Sequence, residues 1–234
     1  MSTGDVCCPL CGGGLTGPLV KGMLHCVSCG CFRQAVIPSP KLLKEQGRAM
    51  MLGACSNPAK KKERMQRASY QVDLLEQHLS PGLVYDVGAA AGFFMKVARD
   101  RGWKVQGNEI SKKAIAWAKE HYQLDIDYGL LPELDPPKGC FDAVVLWNTL
   151  EHVIDPCRTT ELCVAMLRSG GVLLLDIPDK DERELIKHPE KKHLTEFNHV
   201  NLPAFFERKG LRELMLKKYV AKSYVCMELM YQKV

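Results

Sequence analysis

At 234 residues, 46% of them hydrophobic and 25% charged, the chain has an ordinary globular composition with room for one full domain and a small second one. No apolar run is long enough to span a bilayer and the first residues hold no apolar leader, so neither membrane insertion nor secretion is expected and the expected location is cytoplasmic. The net charge of +5 is unevenly placed: residues 1–70 carry 10 Lys/Arg against 3 Asp/Glu, whereas residues 71–234 carry 22 against 24.

Six of the 11 cysteines fall between Cys7 and Cys31. An odd cysteine count without a secretory leader fits a reducing compartment and a metal site better than a disulfide framework. Cys8-Pro9-Leu10-Cys11 and Cys26-Val27-Ser28-Cys29 form two Cys-x-x-Cys knuckles 14 residues apart. Each knuckle lets two thiolates converge on one ion, and two knuckles complete a tetrahedral zinc site. Four thiolates leave no open coordination position for water, so the ion at Cys8, Cys11, Cys26 and Cys29 is expected to be structural. Cys7 and Cys31 are neighbouring thiols able to stand in for one of the four. Gly12 and Gly30 follow the second cysteine of each pair, where a tight turn calls for positive φ. So small a module cannot hold together by apolar burial, and metal binding would supply its folding energy. Residues 1–37 therefore read as a zinc-ribbon-like module, and Pro38-Ser39-Pro40 punctuates its end.

Residues 38–80 read as a largely helical linker. Arg64 to Leu79 carries apolar or aromatic residues at Met65, Tyr70, Val72, Leu74, Leu75 and Leu79, and Ser80-Pro81-Gly82 stops the helix. Lys60, Lys61, Lys62, Arg64 and Arg67 make this stretch basic, as either a phosphate-binding face for RNA or a solvated helix face.

From Leu83 the pattern alternates. Strands are expected at Leu83–Val87, Lys104–Glu109, Ile126–Tyr128, Ala143–Trp147 and Val172–Ile177, with helices at Gly92–Arg101, Lys112–His121 and Pro156–Arg168. A charged segment, Asp179 to Lys192, follows; then come a short helix, Leu202–Lys209, and two runs, Leu214–Val220 and Ser223–Tyr231. Alternation implies an α/β fold with a doubly wound, mostly parallel seven-stranded sheet, and the last two strands imply an antiparallel edge hairpin. Residues 81–234 are expected to form this domain.

The first of these strands runs through Val84-Tyr85-Asp86-Val87 into Gly88-Ala89-Ala90-Ala91-Gly92-Phe93. A strand ending in an acid, a Gly-spaced turn and an immediate helix bring backbone close to a bound nucleoside and aim a helix N-terminus at an anion. A dinucleotide fingerprint would need glycine where Phe93 stands. The spacing Gly88-x-Ala90-x-Gly92 instead resembles motif I of the class I S-adenosylmethionine-dependent methyltransferases, written Asp-x-Gly-x-Gly-x-Gly. Asp86, Gly88 and Gly92 match, and Ala90 replaces the middle glycine. Glu109 stands at the end of the second strand, where the family places an acid on the ribose hydroxyls, and Ile110 where it packs an apolar side chain on adenine. Phe141-Asp142-Ala143-Val144 resembles the family's fourth strand. Asn148-Thr149-Leu150-Glu151-His152-Val153 followed by Asp155-Pro156 resembles its small-molecule branch, which includes the ubiquinone-pathway O-methyltransferases. Gly170-Gly171 resembles the turn into its fifth strand.

The resemblance covers about residues 65–234. It implies a Rossmann-like fold, S-adenosyl-L-methionine as cofactor, and Asp86, Gly88, Ala90, Gly92, Phe93, Glu109, Ile110 and Asn148 as the residues that hold it, with Arg67 and Tyr70 placed to cover its carboxylate. Methyl transfer from a sulfonium needs alignment and exclusion of water, plus a base only where the acceptor must lose a proton. His152, His193 and His199 are the candidate bases, the last two on a segment expected to form a lid. Three functions follow: a methyltransferase acting on a small-molecule O-, N- or C-nucleophile; an RNA methyltransferase gripping RNA with the ribbon and residues 60–67; and a non-catalytic zinc-ribbon adaptor, against which the intact Asp86, Gly88, Gly92 and Glu109 set argues.

Overall fold

The computed structural model describes residues 7–20, 22–46, 55–187, 192–221 and 224–234. Residues 47–54 of the expected helical linker, 188–191 of the charged segment and Ser223 of the last expected strand lie outside them, as do residues 1–6 and 21 of the ribbon module.

Three short strands, β1 (Leu15–Val20), β2 (Met23–Cys26) and β3 (Phe32–Gln34), form an antiparallel ribbon. Helix α1 (Pro40–Gln46) follows. Helix α2 (Pro58–Glu76) begins six residues earlier than apolar periodicity implied, because Asn57 caps it: the side-chain oxygen accepts from Lys60 N at 3.1 Å, and Pro58 occupies the first turn, where no N–H is needed.

The main domain then runs β4 (Leu83–Val87), α3 (Phe93–Asp100), β5 (Lys104–Glu109), α4 (Lys112–Tyr122), β6 (Asp127–Tyr128), β7 (Phe141–Trp147), α5 (Pro156–Met166), β8 (Leu167–Pro178), α6 (Glu182–Lys187), β9 (Thr195–Glu196), α7 (Asn201–Arg208), β10 (Leu211–Ala221) and β11 (Tyr224–Lys233). Seven strands make one sheet in the order β10-β11-β8-β7-β4-β5-β6. The pairs from β8 to β6 are parallel, and β11 is antiparallel to both β8 and β10. This is the doubly wound sheet with an edge hairpin that the alternation implied.

Helix α5 stops two residues short of expectation. Leu167 already pairs with Phe141, and the register slips by a bulge before Ala143 joins Val172. Gly171 permits this: a Cβ there would lie 2.9 Å from the Phe141 carbonyl oxygen. Central strands are buried on both faces, with Val144, Val145, Leu174 and Leu175 all shielded from solvent, as a parallel sheet covered by helices requires.

Sequence periodicity missed helix α6, inside the segment read only as charged, and also the two-residue strand β9. It pairs antiparallel with β3, Phe32 opposite Glu196 and Arg33 opposite Thr195, so the small sheet runs β1-β2-β3-β9. The ribbon thus takes its fourth strand from the segment that follows β8.

Candidate active site and metal centre

The carboxyl ends of β4, β5, β7 and β8 open into one cavity of about 1380 Å³. This is the expected place for a ligand in an open α/β sheet, at the switch point where connections reverse. Asp86, Gly88, Ala90, Phe93, Glu109, Ile110, Asn148, His152 and His193 all line it.

At the β4 end, the turn has backbone that only small residues tolerate. Gly88 sits at φ 76°, and a Cβ added to it would lie 2.8 Å from both the hydroxyl and methyl of Thr149. Gly92 caps α3 at φ 71°; a Cβ there would meet Leu124 at 2.7 Å. Gly92 is absent from the cavity lining and serves helix packing instead. Ala90 takes the left-handed φ of 49°, a conformation that disfavours a side chain.

Glu109 organises the turn. Its Oε2 accepts from Ala90 N at 2.9 Å, and its Oε1 accepts from Ile110 N and Ser111 N, both at 2.7 Å. A carboxylate offers about four acceptor sites, so one remains on Oε2. Asp86 is buried, and desolvation with the nearby Glu109 charge pushes its carboxyl up to about 8.

Beyond the turn lies an ionic cluster that sequence reasoning did not resolve. Arg67 of α2 donates to Asp176 at 2.6 Å, to Glu228 at 2.9 Å and to the Tyr219 hydroxyl at 2.8 Å. Tyr219 donates to Asp176 and Tyr70 donates to Glu228. Asn148, at φ 49°, donates from its amide to Asp176 at 3.1 Å. Both carboxylates are buried, Arg67 bridges them, and Lys217 donates to the Tyr70 hydroxyl at 2.8 Å, so the cluster is a nearly balanced ionic network of which Asp176 and Arg67 face the cavity. The signal for Asp176 was present in the sequence: an acid interrupting the apolar run Val172–Ile177.

The other basic residues of the helix divide, and Arg64 joins Arg67 in lining the cavity. Lys60, Lys62 and Arg64 are exposed, whereas the Lys61 ammonium lies 5.5 Å from the Trp117 ring centre and 5.7 Å from that of Tyr122.

At the far end, Glu151, His152 and His193 gather, with one ligating atom of each within 4.8 Å of the others. The His152 and His193 rings meet edge to face at 4.8 Å. His152 Nδ1 lies 3.1 Å from the Lys192 carbonyl, which can only accept, so Nδ1 carries the proton in the neutral ring. Glu151 is fully buried and neither carboxyl oxygen has a hydrogen-bond partner; desolvation pushes it up to about 8, with partial opposition from His193. His193 Nδ1 lies 2.9 Å from Glu196 Oε2, and Glu196 in turn meets buried Lys180 at 3.4 Å. His199 is not brought to this wall. Its ring turns to Asp179, 3.1 Å from both carboxylate oxygens, and it does not line the cavity.

The ribbon braces this end from behind, and none of its described residues lines the cavity. Arg33 donates to Thr195 Oγ1 at 2.8 Å and to the Ile154 carbonyl at 2.7 Å, and Gln34 donates to the His193 carbonyl at 2.9 Å. Within the ribbon, Cys8, Cys11, Cys26 and Cys29 place their sulfurs within 4.8 Å of one another. Cys8 and Cys29 sulfurs are 3.6 Å apart, and those of Cys11 and Cys26 are 3.4 Å apart. A zinc ion bound by four thiolates would space them by about 3.8 Å, so the donor set fits that ion. Leu10 N and Gly13 N each donate to a cysteine sulfur at 3.4 Å, which favours thiolate. Buried Cys31 also touches Cys8 and Cys29, and Cys7 is exposed.

Residues 58–218 match the family model described as methyltransferase domain. Among curated proteins, the chain is 31% identical over 109 residues to the ubiquinone biosynthesis O-methyltransferase of Chromobacterium violaceum, covering 43% of this chain and 47% of that protein. It is 32% identical over 111 residues to the protein of the same name from Azoarcus sp., covering 44% and 48%. The chain thus spans less than half the length of these relatives. Among solved structures, magnesium protoporphyrin IX methyltransferase of Synechocystis PCC 6803 with bound SAH superposes with a TM-score of 0.65 at 15% identity, over 84% of this chain and 100% of that one. With the family model matched across most of the chain and the sheet order and motif-bearing turn in place, this chain belongs to the class I, S-adenosylmethionine-dependent methyltransferase family.

Proposed function

We propose that the protein transfers a methyl group from S-adenosylmethionine to a small-molecule acceptor, with both held in the one cavity. The observation that carries this reading is the cavity's size and polarity: single-ligand pockets span about 300–1,000 Å³, and 1380 Å³ leaves room for a cofactor at the Gly88 turn and a second molecule at His152 and His193. Relatives named for ubiquinone and magnesium protoporphyrin IX support a small acceptor.

In this reading the adenosine lies between Glu109 and Ile110, and Phe93, Gly88 and Ala90 form the floor. The ribose diol brings two hydroxyls to a carboxylate with one site left, so Ala90 N–H must leave Oε2 when cofactor binds. The methionine end faces Asn148, Arg67, Asp176 and Tyr219. The Asp176 carboxylate there suits an ammonium or sulfonium, and the Arg67 guanidinium a carboxylate. S-adenosylmethionine would supply an already activated methyl on a positive sulfur. The chain's part is to orient the acceptor, exclude water and accept a proton at His152 or His193. Zinc at Cys8, Cys11, Cys26 and Cys29 would hold the ribbon, residues 1–37, against the segments that carry the acceptor end. Residues 38–80 would cover the cofactor, and 81–234 would form the catalytic domain.

The test is incubation with methyl-labelled S-adenosylmethionine and cell extract, with and without ribonuclease. Label in small molecules, insensitive to ribonuclease, is expected; label confined to ribonuclease-sensitive material overturns the small-molecule reading. For the cofactor half, Glu109→Ala should weaken S-adenosylmethionine binding by about 10- to 100-fold in calorimetry. Unchanged affinity removes Glu109 from the ribose site.

A further inference from the structure

The acceptor end of the cavity offers two imidazoles, and their surroundings differ. His152 is backed by a neutral carbonyl, that of Lys192. His193 is backed by the Glu196 carboxylate, which is buried and does not itself line the cavity. A carboxylate stabilises an imidazolium far more than a carbonyl does. It also accepts the Nδ1 proton, which leaves the lone pair on Nε2 of His193.

That geometry is held from every side. Lys180 fixes the other Glu196 oxygen at 3.4 Å, and its own backbone N–H donates to Phe197 O at 2.8 Å. Leu194, between the two, donates its N–H to the Glu151 carbonyl at 2.7 Å, and its own carbonyl accepts from Gln34 N at 2.9 Å. Thr195 is pinned by Arg33 at 2.8 Å. Among the described residues, the charged and titratable groups around His193 include Glu196 on β9, Lys180 after β8, Glu151 and His152 after β7, and the adjacent Lys192.

We propose that Glu196 is a positioning residue for methyl transfer: from the strand it shares with the ribbon, it holds His193 with Nε2 as the proton acceptor for a hydroxyl of phenolic or enolic acidity. The inference rests on the methyltransferase reading above and names the acceptor chemistry within it. Acidity decides the class. A phenol, with a pKa of about 10, is a far stronger acid than an aliphatic hydroxyl of water-like acidity, at about 15.7, so it leaves the smaller gap to a nitrogen base. The smaller gap lies within the reach of a base and a stabilised imidazolium; the larger does not. In the transfer the acceptor oxygen forms the new bond to the methyl carbon, the carbon–sulfur bond breaks with its pair going to sulfur, and the hydroxyl proton passes to His193 Nε2 and then to water.

The test uses the full chain expressed with zinc. Nitrogen-15 histidine NMR should show His193 protonated on Nδ1 in the wild type and shifted towards the other tautomer in Glu196→Ala. An Nε2–H ring in the wild type, or no change in the variant, overturns the proposal. If Glu196→Ala does not fold, Glu196→Gln, which keeps the shape and loses the charge, carries the kinetic arm alone. With phenol and 4-nitrophenol as acceptors, Glu196→Gln should lower kcat about 100-fold for phenol and distinctly less for the more acidic 4-nitrophenol, with KM little changed. An equal loss for both makes Glu196 merely structural, and methylation of cyclohexanol in preference to either phenol refutes the acceptor class. A wild type that binds cofactor yet methylates neither phenol overturns it too. Calorimetry with S-adenosylmethionine separates the two readings: failure of the wild type to bind it defeats the methyltransferase reading itself.

Discussion

At the scale of single residues, the motif-bearing turn shows where chemistry tolerates a departure and where it does not. Gly88→Ala sets a Cβ 2.8 Å from Thr149 at a φ of 76°, so it combines a clash with a left-handed backbone. It should cost about 2 kcal/mol of stability and abolish cofactor binding, read by chemical denaturation and calorimetry. Ala90 already pays a left-handed penalty of about 1–2 kcal/mol, while glycine's extra freedom in the unfolded chain costs about 0.5–1. Ala90→Gly is therefore expected to raise stability by about 0.5–1 kcal/mol, measured as a higher denaturant midpoint with unchanged slope. Glu109 at the end of its strand was legible in the sequence; its three backbone bonds were not, because they depend on where the turn after β4 comes to rest.

At the scale of elements, the two-residue strand β9 couples the ribbon to the acceptor end of the cavity. Its hydrogen bonds run to β3, and β3 is held by β2, whose last residue is Cys26. Metal removal should therefore act on one end of the cavity only. Treatment with a strong zinc chelator is expected to abolish methyl transfer while leaving S-adenosylmethionine affinity within about twofold, because among the described residues the ribbon donates to His193 and Ile154 and to none of the Gly88 turn. Calorimetry and the labelled-methyl assay on the same sample check this; joint loss of binding and transfer would show that the ribbon supports the whole domain. The Cys-x-x-Cys knuckles were plain in the sequence because ligand spacing is local. A strand of two residues has no periodicity to read, and its partner lies more than 160 positions away.

At the scale of the whole molecule, buried acids make stability depend on pH. Glu151 and Asp86 are both pushed up to about 8 by burial, well above their unfolded values. The unfolded chain loses these protons first as pH rises, so the stability they confer is complete below their ordinary carboxyl range and is lost as pH climbs towards 8. Thermal unfolding should show a fall in stability from pH 5 to pH 8. Glu151→Gln should shrink that fall, with Asp86 supplying the rest, and exceed the wild type at pH 8 by more than about 1 kcal/mol.

The sequence by itself determined the alternating strands and helices, the motif I turn with Glu109, and the four convergent thiols, because each is set by periodicity or spacing within a few tens of residues. Only the tertiary structure decided which histidines face the cavity, that Arg67 is committed to Asp176 and Glu228, and that the ribbon shares a sheet with the segment bearing His193 and Glu196. Those choices rest on contacts such as Arg33 to Thr195, 162 positions apart, and on burial that no local pattern encodes. Side chains so distant in sequence meet only once the sheet has closed.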